Sequence, residues 1–79
     1  MINDAIIILI DQRKEALMKE KQEINSRIKE LYSKIEEIEN ETSKKNLLEE
    51  IENLYGKKIE IKARIKDCDE KRNYYENEF

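Results

Sequence analysis

The sequence predicts an all-α fold, a two-helix antiparallel coiled-coil hairpin that pairs with a second copy into a four-helix bundle. Three observations predict it. The 79 residues include no proline and a single glycine, whereas folds with many turns need both residue types. Charged residues make up 44% of the chain, as is typical of long solvent-exposed helices. Apolar residues recur at coiled-coil spacing in two segments that are out of phase. At this length, residues 1–79 form one domain.

The first helix is predicted over about residues 3–41, with Asn3 or Asp4 as its N-terminal cap. Its apolar positions follow alternating steps of four and three residues, which places them on one stripe of the helix. Seven of the ten positions in this first ladder are apolar. The ladder consists of Ile10, Lys14, Leu17, Lys21, Ile24, Ile28, Leu31, Ile35, Ile38 and Thr42.

A turn is predicted at about residues 42–46. Continuing the first ladder beyond Thr42 reaches charged residues, whereas the apolar positions resume at Leu47. This shift of two differs from the insertions of three or four residues that a continuous coiled coil accommodates, so we expect the chain to reverse here. Asn46, with Glu49 three residues later, resembles a capping box that starts a second helix.

The second helix is predicted over about residues 47–78. Gly56 lies inside it and costs about 1 kcal/mol relative to alanine. We expect a tolerated glycine; a hinge, or the close approach of another backbone, is the alternative. Eight of the ten positions in the second ladder are apolar. The ladder consists of Leu47, Ile51, Leu54, Lys58, Ile61, Ile65, Cys68, Arg72, Tyr75 and Phe79.

Two registers fit the pairing of these ladders, because facing residue numbers in an antiparallel hairpin have a constant sum. A sum of 89 agrees with the Asn46 cap, and we expect this register. A sum of 82, one heptad away, moves the turn to about residue 41 and pairs Ile7 with Tyr75.

Composition argues against an enzyme and against a bound metal or cofactor. The chain has no histidine, the usual general base and the commonest metal ligand. Its one cysteine, Cys68, cannot form an intrachain disulfide, and we expect it to be a small buried hydrophobe; an intermolecular disulfide is the alternative. A single glycine cannot build a phosphate-binding loop. Acidic pairs such as Asp67 and Asp69 are expected on exposed helix faces, without a pocket.

We expect a cytoplasmic protein. The longest apolar run, residues 5–10, is far shorter than the roughly 20 residues that cross a bilayer. No basic segment precedes this run and no cleavage site follows it, so it does not resemble a signal peptide. The many Ile, Lys and Asn residues have AT-rich codons, which favours a low-GC bacterium, its phage, or an AT-rich virus or parasite as the source.

Apolar residues beyond the ladders predict an interaction surface. Residues 6–10 are apolar on every side of the helix, and a second stripe beside the main one lies near the turn. We expect another hairpin, another protein or, least favoured, a membrane surface to cover them. The predicted interaction residues are Ile6, Ile7, Leu9, Ile10, Tyr32, Leu48, Tyr55 and Ile59.

Charge is arranged in bands. The middle of the hairpin carries a basic belt of Lys19, Lys21, Arg27, Lys29, Lys57, Lys58, Lys62, Arg64 and Lys66. Near the turn lies an acidic tip of Glu36, Glu37, Glu39, Glu49, Glu50 and Glu52. Solvated helix faces account for both bands. They could also orient an antiparallel dimer, the belt could bind nucleic-acid phosphates, or the tip could imitate them.

The predicted function is that of a small non-enzymatic protein–protein interaction module. As a homodimer, it would act as an adaptor, regulator or inhibitor of a larger protein. Two alternatives remain from the sequence: a nucleic-acid-associated protein that uses the basic belt, and a structural or assembly element.

Overall fold

In a computed structural model, residues 2–77 form two long α-helices, and side chains are described for residues 4–77. Helix α1 spans Ile2–Glu37 and helix α2 spans Glu41–Asn77. The two helices pack against each other in an antiparallel hairpin with overall extents of 60 × 14 × 12 Å. No strand occurs within residues 2–77. The predicted all-α hairpin is therefore confirmed.

A single apolar seam between the helices holds the hairpin together. Every buried side chain in the described residues belongs to one of the two ladders, and Leu31 is fully buried, with 0% of its surface exposed. Burying one such side chain contributes about 1.5–3 kcal/mol. The ladders therefore define the contact surface as predicted. The buried residues are Leu17, Ile24, Ile28, Leu31, Ile51, Ile61 and Cys68, flanked by Ile10, Ile35, Leu47, Leu54 and Ile65.

The long cations within the ladders are half-buried, because their stems lie in the seam while their charged ends reach its edge. Lys14 Nζ lies 2.6 Å from a carboxylate oxygen of Asp69. Arg72 Nε lies 2.7 Å from a carboxylate oxygen of Asp11. Both ion pairs join α1 to α2 near the open end of the hairpin. The last ladder residue, Phe79, lies outside the described residues.

The turn lies at residues 38–40, earlier than the predicted 42–46. Asn40, not Asn46, caps α2: its Oδ1 accepts hydrogen bonds from the backbone N–H groups of Thr42, at 2.9 Å, and Ser43, at 3.2 Å. Thr42 is exposed in the first turn of α2 and takes no part in the seam. The predicted boundaries of about 41 and 47 are therefore wrong, because the asparagine at position 40 allows residues 41–46 to join the second helix.

The start of the first helix also differs from the prediction. Helix α1 begins at Ile2, so Asn3 and Asp4 lie inside its first turn rather than ahead of it as a cap. A carboxylate in the first turn, such as that of Asp4, is favourable because it opposes the positive end of the helix dipole.

The numbers of residues that face each other across the seam sum to about 82. The expected register, with a sum of 89, is therefore wrong. Arg27 Nη2 lies 3.2 Å from Glu50 Oε1, and Arg72 binds Asp11; these pair numbers sum to 77 and 83. In the 89 register Arg27 would lie level with Lys62, which is twelve residues, or about 18 Å, from Glu50 along the helix. That separation exceeds the combined reach of the two side chains.

Helix α2 continues without interruption through Gly56. Apart from the adjoining backbone of α2 itself, no atom lies within 4 Å of the place where a Cβ would stand at this glycine. The alternative that another backbone of the hairpin approaches Gly56 closely is therefore wrong. The open position agrees with the predicted tolerated glycine.

Candidate interaction surface

The seam divides the surface of the hairpin into two sides. With the ladders at heptad positions a and d, the g positions of both helices face each other on one side and the e positions on the other. Arg27 and Glu50 occupy g positions and bond to each other, which defines the Arg27 side. Tyr32 and Tyr55 occupy e positions, which defines the Tyr55 side. Positions b adjoin e on the Tyr55 side, and positions c adjoin g on the Arg27 side.

Four large apolar side chains lie along the Tyr55 side, between the turn and the middle of the hairpin. They keep between 41% and 68% of their surface exposed, although the seam already buries the core of the hairpin. The structure thus joins one residue of α1 to a stripe on α2, as the sequence analysis anticipated. We call this surface the tyrosine face; it consists of Tyr32, Leu48, Tyr55 and Ile59.

The two tyrosines of this face interact across the seam. The pKa of the Tyr32 phenol is raised, first by the charge that an ionised Tyr55 would carry and then by a hydrogen bond with Tyr55. The Lys58 ammonium lies 5.7 Å from the centre of the Tyr55 ring, within the range of a cation–π contact. Both tyrosines are thus coupled to neighbouring side chains on this face.

Met18 belongs to the same side and was missed by the sequence analysis. It occupies an e position of α1, two heptads before Tyr32, and 48% of its surface is exposed. Its spacing of fourteen residues from Tyr32 is the signal that could have found it.

The predicted isoleucine-rich surface lies at the open end of the hairpin, opposite the turn. Ile6, Ile7 and Ile10 are half-buried, while Ile8 and Leu9 are 56% and 65% exposed. This segment is therefore partly covered by the hairpin itself and partly free.

An open depression on the Arg27 side is lined by Ile6, Leu9, Ile10 and Arg13. Tyr74 is exposed on the same side of α2, and its ring makes an edge-to-face contact with that of Tyr75 at 5.3 Å. Tyr75 occupies the half-buried position expected in the 82 register, in which it pairs with Ile7. We call Ile6, Leu9 and Ile10 the open-end surface.

The basic belt surrounds the hairpin rather than forming one stripe. Arg27 is engaged by Glu50 and by Glu30, and both carboxylates raise the pKa of its guanidinium, with Glu50 the larger cause. The nine belt residues are divided among the sides of the hairpin, so a single face presents only a third of them. Lys29, Lys62 and Lys66 lie on the Tyr55 side, Arg27, Lys57 and Arg64 on the Arg27 side, Lys21 and Lys58 at the seam, and Lys19 on the outer surface of α1.

The acidic tip gathers around the observed turn. Glu39 lies in the turn itself, and all the predicted tip residues except Glu50 are exposed. Glu50 is half-buried against Arg27, so this carboxylate is already neutralised within the hairpin. Glu36 and Glu52 occupy b positions and face the Tyr55 side, next to the tyrosine face.

Cys68 is a free thiol with 5% of its surface exposed, and it lies in the seam as the predicted small hydrophobe. Within the described part of the chain, no cluster of three or more His, Cys, Asp or Glu residues could hold a metal ion. Neither of the two described helices contains an apolar stretch long enough to span a membrane.

No protein-family model, curated protein or solved structure matches the chain.

Proposed function

We propose that the chain is a protein-interaction module that binds a larger protein through its open-end surface and acts as an adaptor, regulator or inhibitor. The observation that carries this proposal is the open depression lined by Ile6, Leu9 and Ile10. Leu9 is 65% exposed beside it, although aliphatic side chains gain free energy when they leave water. Exposed apolar patches with polar surroundings are typical of binding sites for partner proteins.

The occupant that best fits this surface is an amphipathic helix with basic residues beside its apolar stripe. A depression lined by aliphatic residues suits the helix-in-groove mode of recognition. Among the described residues, 67–77 sum to a charge of −2 and 4–18 to −1, so the open end attracts a basic segment.

Dimerisation into a four-helix bundle is part of the same proposal. The tyrosine face lies on the other side of the hairpin from the open-end surface. Leu9 and Tyr32 are separated by 23 residues of α1, or about 35 Å. One copy can therefore bind a partner and a second copy of the chain at the same time.

Affinity capture with matched variants tests the binding of a partner. The wild-type hairpin, Ile6→Ser/Leu9→Ser and Ile59→Ser serve as baits in a nuclease-treated lysate of the source organism. We expect wild type and Ile59→Ser to retain the same protein in stoichiometric amount, and Ile6→Ser/Leu9→Ser to lose it while its circular dichroism stays helical. Equal retention by all three baits would refute the open-end surface as the binding site.

A nucleic-acid-binding role has weaker support. The belt residues divide among all sides of the hairpin, whereas binding along a phosphate backbone needs several cations on one face. Arg27 is also paired with Glu50, and Lys58 lies over the Tyr55 ring. A partner captured from an untreated lysate but lost from the nuclease-treated one would favour this role over the proposed one.

A further inference from the structure

We propose that a second copy of this chain covers the tyrosine face, antiparallel to the first, about a two-fold axis level with Asn25 of α1 and position 57 of α2. Helix α1 then lies on α1 of the second copy, and α2 lies on α2. The proposal specifies the dimer named in the proposed function. It is tested on the isolated protein, so its failure would leave binding at the open end untouched.

Helix α2 supplies the first centre of symmetry. Tyr55 and Ile59 lie two residues on either side of position 57. The two-fold axis therefore places Tyr55 of one copy against Ile59 of the other. Glu52 and Lys62 lie five residues on either side of the same position, so the axis also pairs their opposite charges. These apolar and charged pairs share one centre, and the same axis places Leu48 against the aliphatic stem of Lys66.

Helix α1 supplies a second centre independently. Met18 and Tyr32, both exposed at e positions, lie seven residues on either side of Asn25. The axis therefore places the thioether of one copy on the phenol ring of the other, a favourable sulfur–aromatic contact. In the observed register residue 25 lies level with residue 57, because their numbers sum to 82. The two centres thus coincide on one axis, as a two-fold dimer requires.

A parallel dimer fits the same face less well. It would stack α1 on α2 of the second copy, with the two turns side by side. Tyr55 would then face Asn25, and Ile59 would face Gln22, so both would meet polar groups. Of the tyrosine face, Tyr32 and Leu48 alone would meet an apolar partner. The exposed acids around the two turns would also lie next to each other and repel.

The area of the overlap is sufficient for a stable dimer. Specific interfaces bury about 800 Å² on each partner, which is about one eighth of the 6411 Å² surface of the hairpin. The antiparallel overlap runs from position 48 to position 66 of α2, or about 27 Å, nearly half of the 60 Å length. One of four sides over half the length supplies about this fraction of the surface.

Sedimentation equilibrium tests the interface with a matched pair of variants. We expect wild type to sediment with twice the monomer mass of 9.6 kDa. Ile59→Ser removes an apolar side chain twice per dimer and should raise the dissociation constant at least about 100-fold. Leu9→Ser makes the same kind of change on the opposite side and should have little effect. A monomeric wild type, or equal effects of the two variants, would overturn the proposal.

Disulfide trapping tests the position of the axis. Cysteine substituted for Asn25 should meet its copy across the axis and form a covalent dimer under mild oxidation. Cysteine substituted for the neighbouring Ser26, on the outer surface of α1, should not. Wild type should also stay uncrosslinked, because Cys68 is buried. Failure of Asn25→Cys to crosslink in a protein that still dimerises would overturn the antiparallel arrangement.

Charge reversal tests the orientation separately. Glu52→Lys and Lys62→Glu should each weaken the dimer, because each places like charges opposite one another. The double variant should restore the wild-type dissociation constant to within about threefold. If the dissociation constant of the double variant rises by the product of the two single increases, Glu52 and Lys62 do not face each other and the proposed pairing is wrong.

Discussion

Replacing the two asparagines near the turn, one at a time, should change stability in opposite directions. Asn40 Oδ1 accepts backbone hydrogen bonds at 2.9 and 3.2 Å and so satisfies two donors at the start of α2. Replacing an asparagine cap by alanine costs about 0.5–2 kcal/mol, and we expect Asn40→Ala to lower the free energy of unfolding by about 1 kcal/mol. Asn46 is an exposed residue inside α2, where alanine is the better helix former by up to about 0.7 kcal/mol. Asn46→Ala should therefore stabilise the hairpin.

Urea denaturation followed by circular dichroism measures both effects, at a fixed protein concentration because dimerisation adds to the apparent stability. Asn40→Asp is a matched control, since its carboxylate can accept the same two hydrogen bonds, and it should retain nearly all of the wild-type stability. Destabilisation by Asn46→Ala together with no effect of Asn40→Ala would refute a turn at residues 38–40. That result would instead favour a turn at residues 42–46.

Three further predictions follow from the seam, the glycine and the tyrosine pair. Leu31→Ala removes a fully buried side chain and should cost about 2–4 kcal/mol by denaturation, whereas the same change at the 65% exposed Leu9 should cost less than about 1 kcal/mol; equal costs would contradict the seam. Gly56→Ala should stabilise the hairpin by about 1 kcal/mol, because open space surrounds the added methyl group; destabilisation would indicate that the glycine is needed for a bend. Tyr32 should ionise above its ordinary value of about 10 in an ultraviolet titration, and Tyr55→Phe should lower that pKa. Because folding raises this pKa, the contribution to stability is complete below about pH 10 and is lost as the pH rises through the folded-state value; an unchanged titration in Tyr55→Phe would refute the pairing.

The seam could be predicted from the sequence, whereas the register could not. Apolar steps of three and four residues determine which side of each helix is buried, and every buried residue among residues 4–77 lies on a ladder. Shifting one helix by a full heptad keeps the same ladder residues in the seam, so periodicity alone cannot distinguish a sum of 82 from one of 89. The choice depended on whether Asn40 or Asn46 caps the second helix, and both have suitable side chains.

The candidate surfaces, like the fold, could be predicted from the sequence only in part. The stripe of Leu48, Tyr55 and Ile59 follows from spacing within one helix, so it was visible in the sequence. Contacts between the helices depend on the register, and the Arg27–Glu50 ion pair was therefore not anticipated. In the sequence these two residues belong to separate bands of charge, although the structure joins them.

The charge bands bear on the proposed dimer as well as on the hairpin. In the observed register residues 19–29 lie level with positions 53–63, so the basic segments of the two helices occupy the same length of the hairpin. Within that length Arg27 is already paired with Glu50, whereas Lys62 is exposed on the Tyr55 side. A second copy turned about position 57 brings Glu52 beside Lys62, so opposite charges meet across the proposed interface. This pairing supports the inference that a second chain completes the tyrosine face.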